Sequence, residues 1–497
     1  MKSSEDNMAE FTSTRNKNLT ASAYEAVFNG LAPDGGLYVP ENIPALKIEE
    51  VLDDAYSEMA KKVLKRMLPS FTEKEISESA DEAYLNHFDT KDVAPLVKTG
   101  NAYTLELFHG ETCAFKDIAL SILPRLMVRA RKALNKNDKI LILTATSGDT
   151  GSAAMNGFRD VEGTGIITFF PDGGVSDIQK AQMTKMQGKN LTACAVKGNF
   201  DDCQTMVKNI FSNMTPPEGI QLSSANSINI ARLAPQITYY FWAYARLVKE
   251  HGLKIGEKVD FIVPTGNFGD ILAGFYAKTM GLPVGKLICA SNANNVLTDF
   301  IETGVYDKNR AFKKTISPSM DILISSNLER LLYLSEGKDD RKVASYMKAL
   351  KEKGEYRISD EALLFIQTHF KGYAFSDEDA MKEIKKVFEQ YNYLIDPHTA
   401  VAFCAMEEYK KENPDSVCVV LSTASPYKFS GSVMDALSID KPEDAFERIS
   451  VLEKKTSSHA PAPIGKLKDG EMIHKDLIEV RDAFEYVLGK AEKVCRV

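Results

Sequence analysis

Residues 139–158 read K-I-L-I-L-T-A-T-S-G-D-T-G-S-A-A-M-N-G-F, and this stretch decides the fold. Residues 139–146 form an apolar run of strand length, and residues 147–151 form a loop that contains two glycines. Residues 152–158 then have the small and apolar side chains of a short helix. A fully apolar strand that leads through a glycine loop into a helix indicates one unit of a parallel sheet, covered by helices on both faces.

The same pattern recurs further along the chain. Additional apolar strands are predicted at 166–170, 191–196, 259–264, 286–290 and 417–421. Because these strands alternate with helices, the sequence predicts an α/β fold with at least two sheet units. Ligands bind at the carboxyl ends of the strands in such sheets, so the loops that follow strands are the candidate binding loops.

Four parts of the chain are predicted from these patterns. A chain of 497 residues is too long for one core if a domain takes about 150 residues. The expected division is an N-terminal domain (1–95), a large domain (96–137 and 246–440), a small α/β domain (138–245) and a C-terminal extension with a helical tail (441–497).

The composition excludes several classes of protein. The formal net charge of -8 gives no basic surplus for a nucleic-acid or membrane-surface partner. No apolar run approaches the roughly 20 residues of a membrane span, and the first residues lack the apolar core of a secretory signal. The seven cysteines include no C-x-x-C pair, so we expect reduced thiols and no metal site. Together these features predict a cytoplasmic protein.

Lys116 is the candidate reactive residue, in the stretch L-E-L-F-H-G-E-T-C-A-F-K-D at 105–117. A lysine among apolar neighbours loses hydration of its ammonium form, so its pKa falls and a free amine becomes available for a Schiff base. The alternative is a lysine that reaches solvent or pairs with Asp117 or Glu111, as most lysines do. His109 is the only histidine expected near the site, as a structural hydrogen-bonding residue.

Two glycine loops are candidate anion sites. In T-G-N-F-G-D at 265–270, backbone N–H groups and the following helix start suit a phosphate dianion. This loop is neither a dinucleotide fingerprint nor a nucleoside-triphosphate loop, so it favours a phosphorylated cofactor. In S-G-D-T-G at 147–151, the hydroxyls of Ser147 and Thr150 suit a carboxylate. The alternatives are a tight turn without ligand and a simple helix cap.

Two further groups are candidates. In N-S-I-N-I-A-R at 226–232, Asn226, Asn229 and Arg232 are three residues apart, which predicts one helix face able to hold a phosphate or carboxylate. A solvated polar face is the alternative. Thr423 follows the strand 417–421, where a neutral hydroxyl could meet a ring nitrogen or simply cap a turn.

Taken together, these stretches resemble the threonine synthases, pyridoxal-phosphate enzymes of fold type II (the tryptophan-synthase-β superfamily). The resemblance covers most of the chain. It also includes F-T-S-T-R at 11–15, G-L-A-P-D-G-G-L-Y-V-P at 30–40 and V-K-G-N-F-D-D-C-Q at 196–204. It implies an α/β fold of two doubly wound sheet units with an additional N-terminal domain and a C-terminal helical tail.

The resemblance also implies residue roles. Lys116 would carry the cofactor as a Schiff base and act as general base and acid, and Thr423 would meet the pyridine nitrogen. The remaining roles fall to three sets: the cofactor-phosphate loop Gly266, Asn267, Phe268 and Gly269, with Asp270 at the next helix start; the substrate-carboxylate and cofactor-edge loop Ser147, Asp149 and Thr150; and the substrate-phosphate group Asn226, Ser227, Asn229 and Arg232.

The family reaction converts O-phosphohomoserine and water to threonine and phosphate. A related phospho-lyase that releases 2-oxobutyrate, ammonia and phosphate is the first alternative, and a non-catalytic relative is the second. The chain departs from the family's T-A-H-P-A-K-F, because Ser425 replaces a histidine and Tyr427 an alanine. The resemblance implies a small-molecule partner and leaves the oligomeric state open.

Overall fold

Two parallel-type sheets carry the fold, as the alternation of strands and helices predicts. The computed structural model describes residues 10–496. Its strands are β1 (Phe11–Ser13), β2 (Asn16–Ala21), β3 (Tyr38–Pro40), β4 (Leu96–Thr99), β5 (Ala102–Glu106), β6 (Lys139–Ala145), β7 (Thr164–Pro171), β8 (Leu191–Lys197), β9 (Ile220–Ser223), β10 (Val259–Pro264), β11 (Val284–Ser291), β12 (Val305–Asp307), β13 (Glu355–Arg357), β14 (Phe370–Ala374), β15 (Val417–Ser422) and β16 (Asp476–Glu479).

Helices connect and cover these strands. They are α1 (Ala23–Asn29), α2 (Tyr56–Met67), α3 (Glu73–Tyr84), α4 (Lys116–Ala133), α5 (Asp149–Phe158), α6 (Asp177–Thr184), α7 (Phe200–Asn213), α8 (Ile230–His251), α9 (Gly269–Thr279), α10 (Val296–Thr303), α11 (Leu328–Ser335), α12 (Asp340–Glu352), α13 (Asp360–His369), α14 (Asp377–Tyr391), α15 (Pro397–Glu412), α16 (Ser430–Ala436), α17 (Ala445–Thr456), α18 (Ala462–Lys466) and α19 (Ala483–Val494).

The large sheet has the strand order β14-β11-β10-β15-β5-β4. All its pairs are parallel except β4 with β5. Every residue of β10 is buried, and alternate residues face different layers. Phe261 and Val263 belong to the core that contains α8 and α9, whereas Ile262 packs in the core that contains α15. This burial on both faces explains why the strand is apolar throughout.

The small sheet has the order β16-β8-β7-β6-β9, and all its pairs are parallel. Ile140 and Ile142 of β6 face the main core, and Leu141 and Leu143 face a separate cluster with α7 and α19. The C-terminal extension therefore contributes more than the helical tail that the sequence predicts. Its strand β16 pairs with β8, and α19 packs on the same sheet.

The N-terminal part forms a three-stranded antiparallel sheet, β2-β1-β3, and the helices α1–α3. Its apolar residues share one core with α4, α8 and α9. Trp242 of α8 packs edge-on against Tyr56 of α2, and its indole N–H donates to the carbonyl of Ala94 at 2.8 Å. We propose the four-part division of the chain given above, with the N-terminal part held to the large domain by this shared core.

Three features bear on membrane crossing, metal binding and disulfide bonds. Within residues 10–496, no helix combines the length and the apolar character that a membrane crossing requires. The same range contains no cluster of three or more His, Cys, Asp or Glu side chains arranged to hold a metal ion. All seven cysteines are present as free thiols, and six of them are buried.

Candidate active site

A cavity of about 430 Å³ lies where the carboxyl ends of strands from both sheets meet. The loops after β6, β10 and β15 line it, together with the start of α4 and the segment before α8. This is the position that an α/β sheet favours for ligands. The structure brings most of the predicted site residues together here: Lys116, Ser147, Thr150, Asn226, Ser227, Arg232, Gly266, Asn267, Phe268, Gly269, Asp270 and Thr423.

Lys116 is the first residue of α4, and its side chain is 12% exposed. Burial, with the charges of Lys428 and Arg232, lowers the pKa of Lys116 to about 8, although Asp149 opposes this change. Asp117 does not pair with it, because its carboxylate accepts hydrogen bonds from the backbone N–H and the hydroxyl of Thr112 at 2.8 and 2.6 Å. Lys116 therefore loses its proton more readily than an ordinary lysine.

The loop 265–270 has the geometry of an anion cradle. Phe268 adopts a left-handed conformation (φ 61°) immediately before α9 and gives that helix no side-chain cap. The first N–H groups of α9 are therefore left to an anion, which the positive end of the helix dipole also favours. A Cβ at Gly266 would lie 2.7 Å from the carbonyl of Ser319, so only glycine fits between the loop and its neighbour.

Asp270 follows this cradle and turns towards two buried tyrosines. The hydroxyls of Tyr239 and Tyr240 donate to its Oδ1 at 2.5 and 2.9 Å. Burial raises the pKa of Asp270 to about 6. Its Oδ2 is buried without a hydrogen-bond partner among residues 10–496. Asp270 thus orders the start of α9 from behind the cradle.

The loop 147–151 presents two hydroxyls to the cavity, those of Ser147 and Thr150. Neither caps α5, because Gly148 occupies the N-cap with φ 133° and has no side chain. Thr146 shapes the turn instead, since its hydroxyl accepts from the N–H groups of Gly148 and Gly151 at 2.9 Å. Both hydroxyls are therefore available to a ligand, and the helix-cap alternative is wrong.

Asp149 does not line the cavity, unlike the other predicted members of its loop. It is 3% exposed and forms an ion pair with Lys428 at 2.7 Å. Gln179 Nε2 and Ser319 Oγ also donate to it at 2.9 and 3.1 Å. The Nζ of Lys116 lies 3.9 Å from its Oδ2. Asp149 thus lies outside the cavity lining and faces Lys428 and Lys116.

The segment 226–232 is not one helix face, and that prediction is wrong. Asn226 and Ser227 lie in the loop before α8, and Asn229 is the N-cap of this helix. Asn229 accepts from the N–H of Ala231 and donates to the carbonyl of Val27, at 2.9 and 2.8 Å, so it points away from the cavity. The three-residue spacing suggested a helical face. Spacing alone does not show that the helix begins only after Asn229.

Arg232 is the buried cation of this segment. It is 3% exposed, and burial lowers its pKa to about 10. One of its N–H groups donates to the carbonyl of Ala225, and its Nε has no hydrogen-bond partner within the described chain. A desolvated guanidinium with donors to spare is a strong site for a phosphate.

Thr423 lies directly after β15, is 5% exposed and lines the cavity. Its carbonyl accepts the N–H of Phe115 at 2.9 Å, which fixes it beside Lys116.

The two departures from the family pattern lie elsewhere. Ser425 accepts from the N–H of Tyr427, and the Tyr427 hydroxyl contacts Ser458 at 2.7 Å. Neither side chain belongs to the cavity lining.

His109 is the structural hydrogen-bonding residue that the sequence predicts, but it does not line the cavity. His109 binds Asp89 and Glu106 at 2.6 and 2.8 Å, outside the cavity. His398 lines the cavity, with Nδ1 2.6 Å from Asp396 and Nε2 accepting the N–H of Ser319 at 3.2 Å. The dipeptide Asp396–Pro397 marked a helix start, but no local signal placed that helix at the cavity.

The residues present fit pyridoxal phosphate. Lys116 provides an amine for a Schiff base, and the uncapped start of α9 provides N–H groups for the cofactor phosphate. Thr423 provides a neutral hydroxyl for a ring nitrogen. The unpartnered Nε of Arg232 leaves a second anion site for a substrate. A lysine of lowered pKa, an uncapped helix start and a buried guanidinium with an unpartnered Nε therefore share this cavity within residues 10–496.

Three family models match the chain. "Threonine synthase N terminus" matches residues 10–84, "Pyridoxal-phosphate dependent enzyme" matches residues 99–423, and "Threonine synthase, C-terminal" matches residues 399–468. The second model alone spans more than half of the chain and contains Lys116, both glycine loops and Thr423.

Two similar proteins and one solved structure have threonine synthase in their names. The threonine synthase of Pseudomonas aeruginosa is 40% identical over 431 residues, which cover 86% of this chain and 90% of that protein. Threonine synthase-like 1 of Homo sapiens is 40% identical over 436 residues, covering 84% of this chain and 58% of that protein. The chain thus spans little more than half of the length of this second relative. The crystal structure of PLP-bound threonine synthase from Brucella melitensis superimposes with a TM-score of 0.87 at 35% identity, covering 99% of this chain and 100% of that one.

Proposed function

We propose that this chain, which belongs to the threonine synthase family of pyridoxal-phosphate-dependent enzymes, converts O-phospho-L-homoserine and water to L-threonine and phosphate. The observation that carries the proposal is that Lys116 shares one cavity with the uncapped start of α9 and with Arg232, whose Nε has no hydrogen-bond partner within residues 10–496. One site, at the start of α9, suits the phosphate of the cofactor. The other, at Arg232, suits a second phosphate, which only a phosphorylated substrate would bring.

Lys116 is the proposed catalytic residue. When bound, pyridoxal phosphate supplies an electron sink for the carbanion that remains after the α proton leaves the substrate. The Nζ of Lys116 accepts and returns the protons, and a pKa of about 8 suits a group that must do both near neutral pH. Its low exposure keeps bulk water away from the exchanged protons.

The substrate is held at its two charged ends. Arg232, with Asn226 and Ser227, binds the phosphate that departs from Cγ. The hydroxyls of Ser147 and Thr150, which line the same cavity, bind the carboxylate. Asn229 shapes this segment by capping α8 and does not touch the substrate. Holding both ends orients the carbon atoms between them relative to Lys116.

Two further residues act on the cofactor ring and on the catalytic lysine: Thr423 at the pyridine nitrogen and Asp149 beside Lys116. A neutral hydroxyl at the pyridine nitrogen does not force a full positive charge on the ring, which suits chemistry with several proton transfers. Asp149 lies 3.9 Å from Lys116 and is itself held by Lys428 and Ser319. We assign Asp149 to holding Lys116 in place, and the binding of the substrate carboxylate to Ser147 and Thr150.

The test is product analysis with the purified holoenzyme and O-phosphohomoserine. We expect threonine and phosphate in equal amounts, and no turnover by Lys116→Ala. Lys278→Ala is the matched control, because Lys278 is also a half-buried lysine of lowered pKa but lies outside the cavity. Formation of 2-oxobutyrate and ammonia with phosphate would assign the phospho-lyase reaction instead, since both reactions use the same binding residues up to the loss of phosphate.

A further inference from the structure

Three consecutive residues, Ser325, Ser326 and Asn327, bind the cofactor-phosphate loop from outside the cavity. The hydroxyl of Ser325 donates to the carbonyl of Gly266 at 2.8 Å. Asn327 donates twice to the carbonyl of Asn267, from its backbone N–H at 3.0 Å and from its side-chain Nδ2 at 3.1 Å. These bonds hold Gly266 and Asn267, the first two residues of the cofactor-phosphate loop.

The same three residues also reach the substrate-phosphate segment. The Nδ2 of Asn327 lies 3.4 Å from the hydroxyl of Ser227, and the hydroxyl of Ser326 lies at the same distance from it. The hydroxyl of Ser326 also donates to Oδ1 of Asn267 at 3.3 Å. One amide nitrogen therefore touches both phosphate-binding segments.

Arg330 fixes the orientation of this amide. It is completely buried, and its Nη1 donates to Oδ1 of Asn327 at 2.6 Å. Its Nη2 and Nε donate to the carbonyls of Ile228 and Tyr38 at 2.6 and 2.8 Å. Because the guanidinium has no acceptor, the Asn327 oxygen must face Arg330 and the nitrogen must face Asn267 and Ser227.

The N-terminal part of the chain anchors the same helix. Glu329 of α11 is 5% exposed and accepts from the Thr14 hydroxyl at 2.6 Å and from the Arg15 guanidinium at 2.8 Å. The motif F-T-S-T-R at 11–15 lies outside the cavity and contributes nothing to it directly. Its contact with α11 connects it to the residues that hold both phosphate-binding segments.

We propose that Asn327 is a positioning residue that sets the separation between the cofactor phosphate and the substrate phosphate. The inference rests on the proposed function, because it assigns the second anion site to a substrate phosphate. If the two phosphate sites are held at one separation, the protein favours substrates whose amino group and phosphate lie at a matching distance. Because one amide nitrogen bonds both segments, its loss frees the two segments to separate and weakens the binding of a substrate of fixed length.

The test compares Asn327→Ala and Asn327→Asp with the wild-type holoenzyme. Asn327→Asp keeps the oxygen that binds Arg330 and removes the nitrogen that binds Asn267 and Ser227. For both variants we expect about a tenfold increase in KM for O-phosphohomoserine and in Kd for inorganic phosphate, with kcat changed less than threefold. We also expect a changed ³¹P resonance of the bound cofactor. Ser326→Ala, at a partly exposed position, should cause a smaller change in the same direction.

Asn190→Ala is the matched control. Asn190 is also fully buried and bonded to backbone carbonyls, those of Phe158 and Thr164, but it lies in the small domain away from Asn267. We expect its loss to lower the melting temperature and to leave KM, phosphate Kd and the ³¹P resonance unchanged. If the Asn327 variants behave like Asn190→Ala, the positioning role is refuted.

The two proposals fail in different ways. If the wild-type protein does not turn over O-phosphohomoserine, the proposed function fails, while phosphate Kd and the ³¹P resonance still test Asn327. If the wild-type protein makes threonine but the Asn327 variants keep its KM, its phosphate Kd and its ³¹P resonance, the positioning role alone fails.

Discussion

The Nζ of Lys428 lies 2.7 Å from Oδ1 of Asp149, and both side chains are buried, at 0% and 3% exposure. Burial alone would raise the pKa of Asp149, but the ammonium groups of Lys428 and Lys116 hold it well below its usual range. Asp149 is therefore an anion between two lysines, with the Nζ of Lys428 at 2.7 Å and that of Lys116 at 3.9 Å. Because Lys428 partly neutralises Asp149, the negative charge that would keep Lys116 protonated is weaker.

Replacing Lys428 by methionine should raise the pKa of Lys116. Burial lowers this pKa, Asp149 raises it and Lys428 lowers it, so removing Lys428 leaves Asp149 unopposed. We expect the pH profile of Schiff-base formation, followed by absorbance, to move to higher pH. Lys428→Arg keeps the charge and is the control, although its geometry differs. An unchanged profile in Lys428→Met would refute this electrostatic coupling.

Replacing Arg232 by glutamine should weaken phosphate binding. The variant keeps a hydrogen-bond donor but loses the buried charge, which is the main attraction for a dianion. We expect KM for O-phosphohomoserine to rise about 100-fold, or about 3 kcal/mol of binding, in the range for charged hydrogen bonds. Arg246→Gln is the matched control, because Arg246 lies on the same helix and packs on Trp242 outside the cavity. Equal KM values in the two variants would contradict the assignment.

Replacing Gly266 by alanine should reduce cofactor affinity. The new Cβ would lie 2.7 Å from the carbonyl of Ser319, so the loop or its neighbour must move. We expect an overpacking cost of about 1–3 kcal/mol and weaker retention of pyridoxal phosphate during dialysis. Gly489→Ala, in α19, is the control, because its Cβ would meet nothing within 4 Å. Full cofactor retention by Gly266→Ala would show that the cradle tolerates displacement.

His109 should stabilise the protein at acidic pH. Burial opposes its charge, but hydrogen bonds and charges from Glu106 and Asp89 raise the pKa of His109 above its usual value. A group whose pKa is raised by folding contributes its full stability below the unfolded pKa of about 6.5. That contribution is lost as pH rises through the folded pKa.

Urea unfolding of wild type and His109→Gln across pH 5–9 measures this effect. We expect the difference in the free energy of unfolding to be about 2 kcal/mol below pH 6, as for hydrogen bonds to charged groups, and to shrink at higher pH. A difference that is constant across the range would mean that the charge of His109 contributes nothing.

Replacing Arg15 by methionine should destabilise the junction between the N-terminal part and α11. Glu329 would keep the hydrogen bond from the Thr14 hydroxyl but lose the two charged hydrogen bonds from Arg15, both at 2.8 Å. We expect a loss of about 2 kcal/mol in the free energy of unfolding, measured with urea. Arg341→Met is a control on the neighbouring helix α12, where the side chain is exposed. Equal stability of both variants would contradict a structural role for this ion pair.

Much of the fold follows from local patterns. Strand 259–264 and the glycine loop after it were predicted at their observed positions, because the whole strand is buried and the turn needs glycine at Gly266. Lys116 was singled out because its neighbours are apolar and Thr423 because it follows a predicted strand, and the roles that the resemblance implies for them stay predictions. By contrast, β16 was missed, because a short strand of mixed polarity at a sheet edge has no distinct pattern.

The sequence by itself determined the α/β class, the family and most of the segments that line the cavity, because strand burial, glycine turns and helix starts depend on neighbouring residues. Only the tertiary structure decided which side chain of each segment enters the cavity. It placed Arg232 there and Asn229 outside, and it paired Asp149 with Lys428. Such pairings join residues far apart in the chain, and their geometry depends on how helices and sheets pack, which no local pattern encodes.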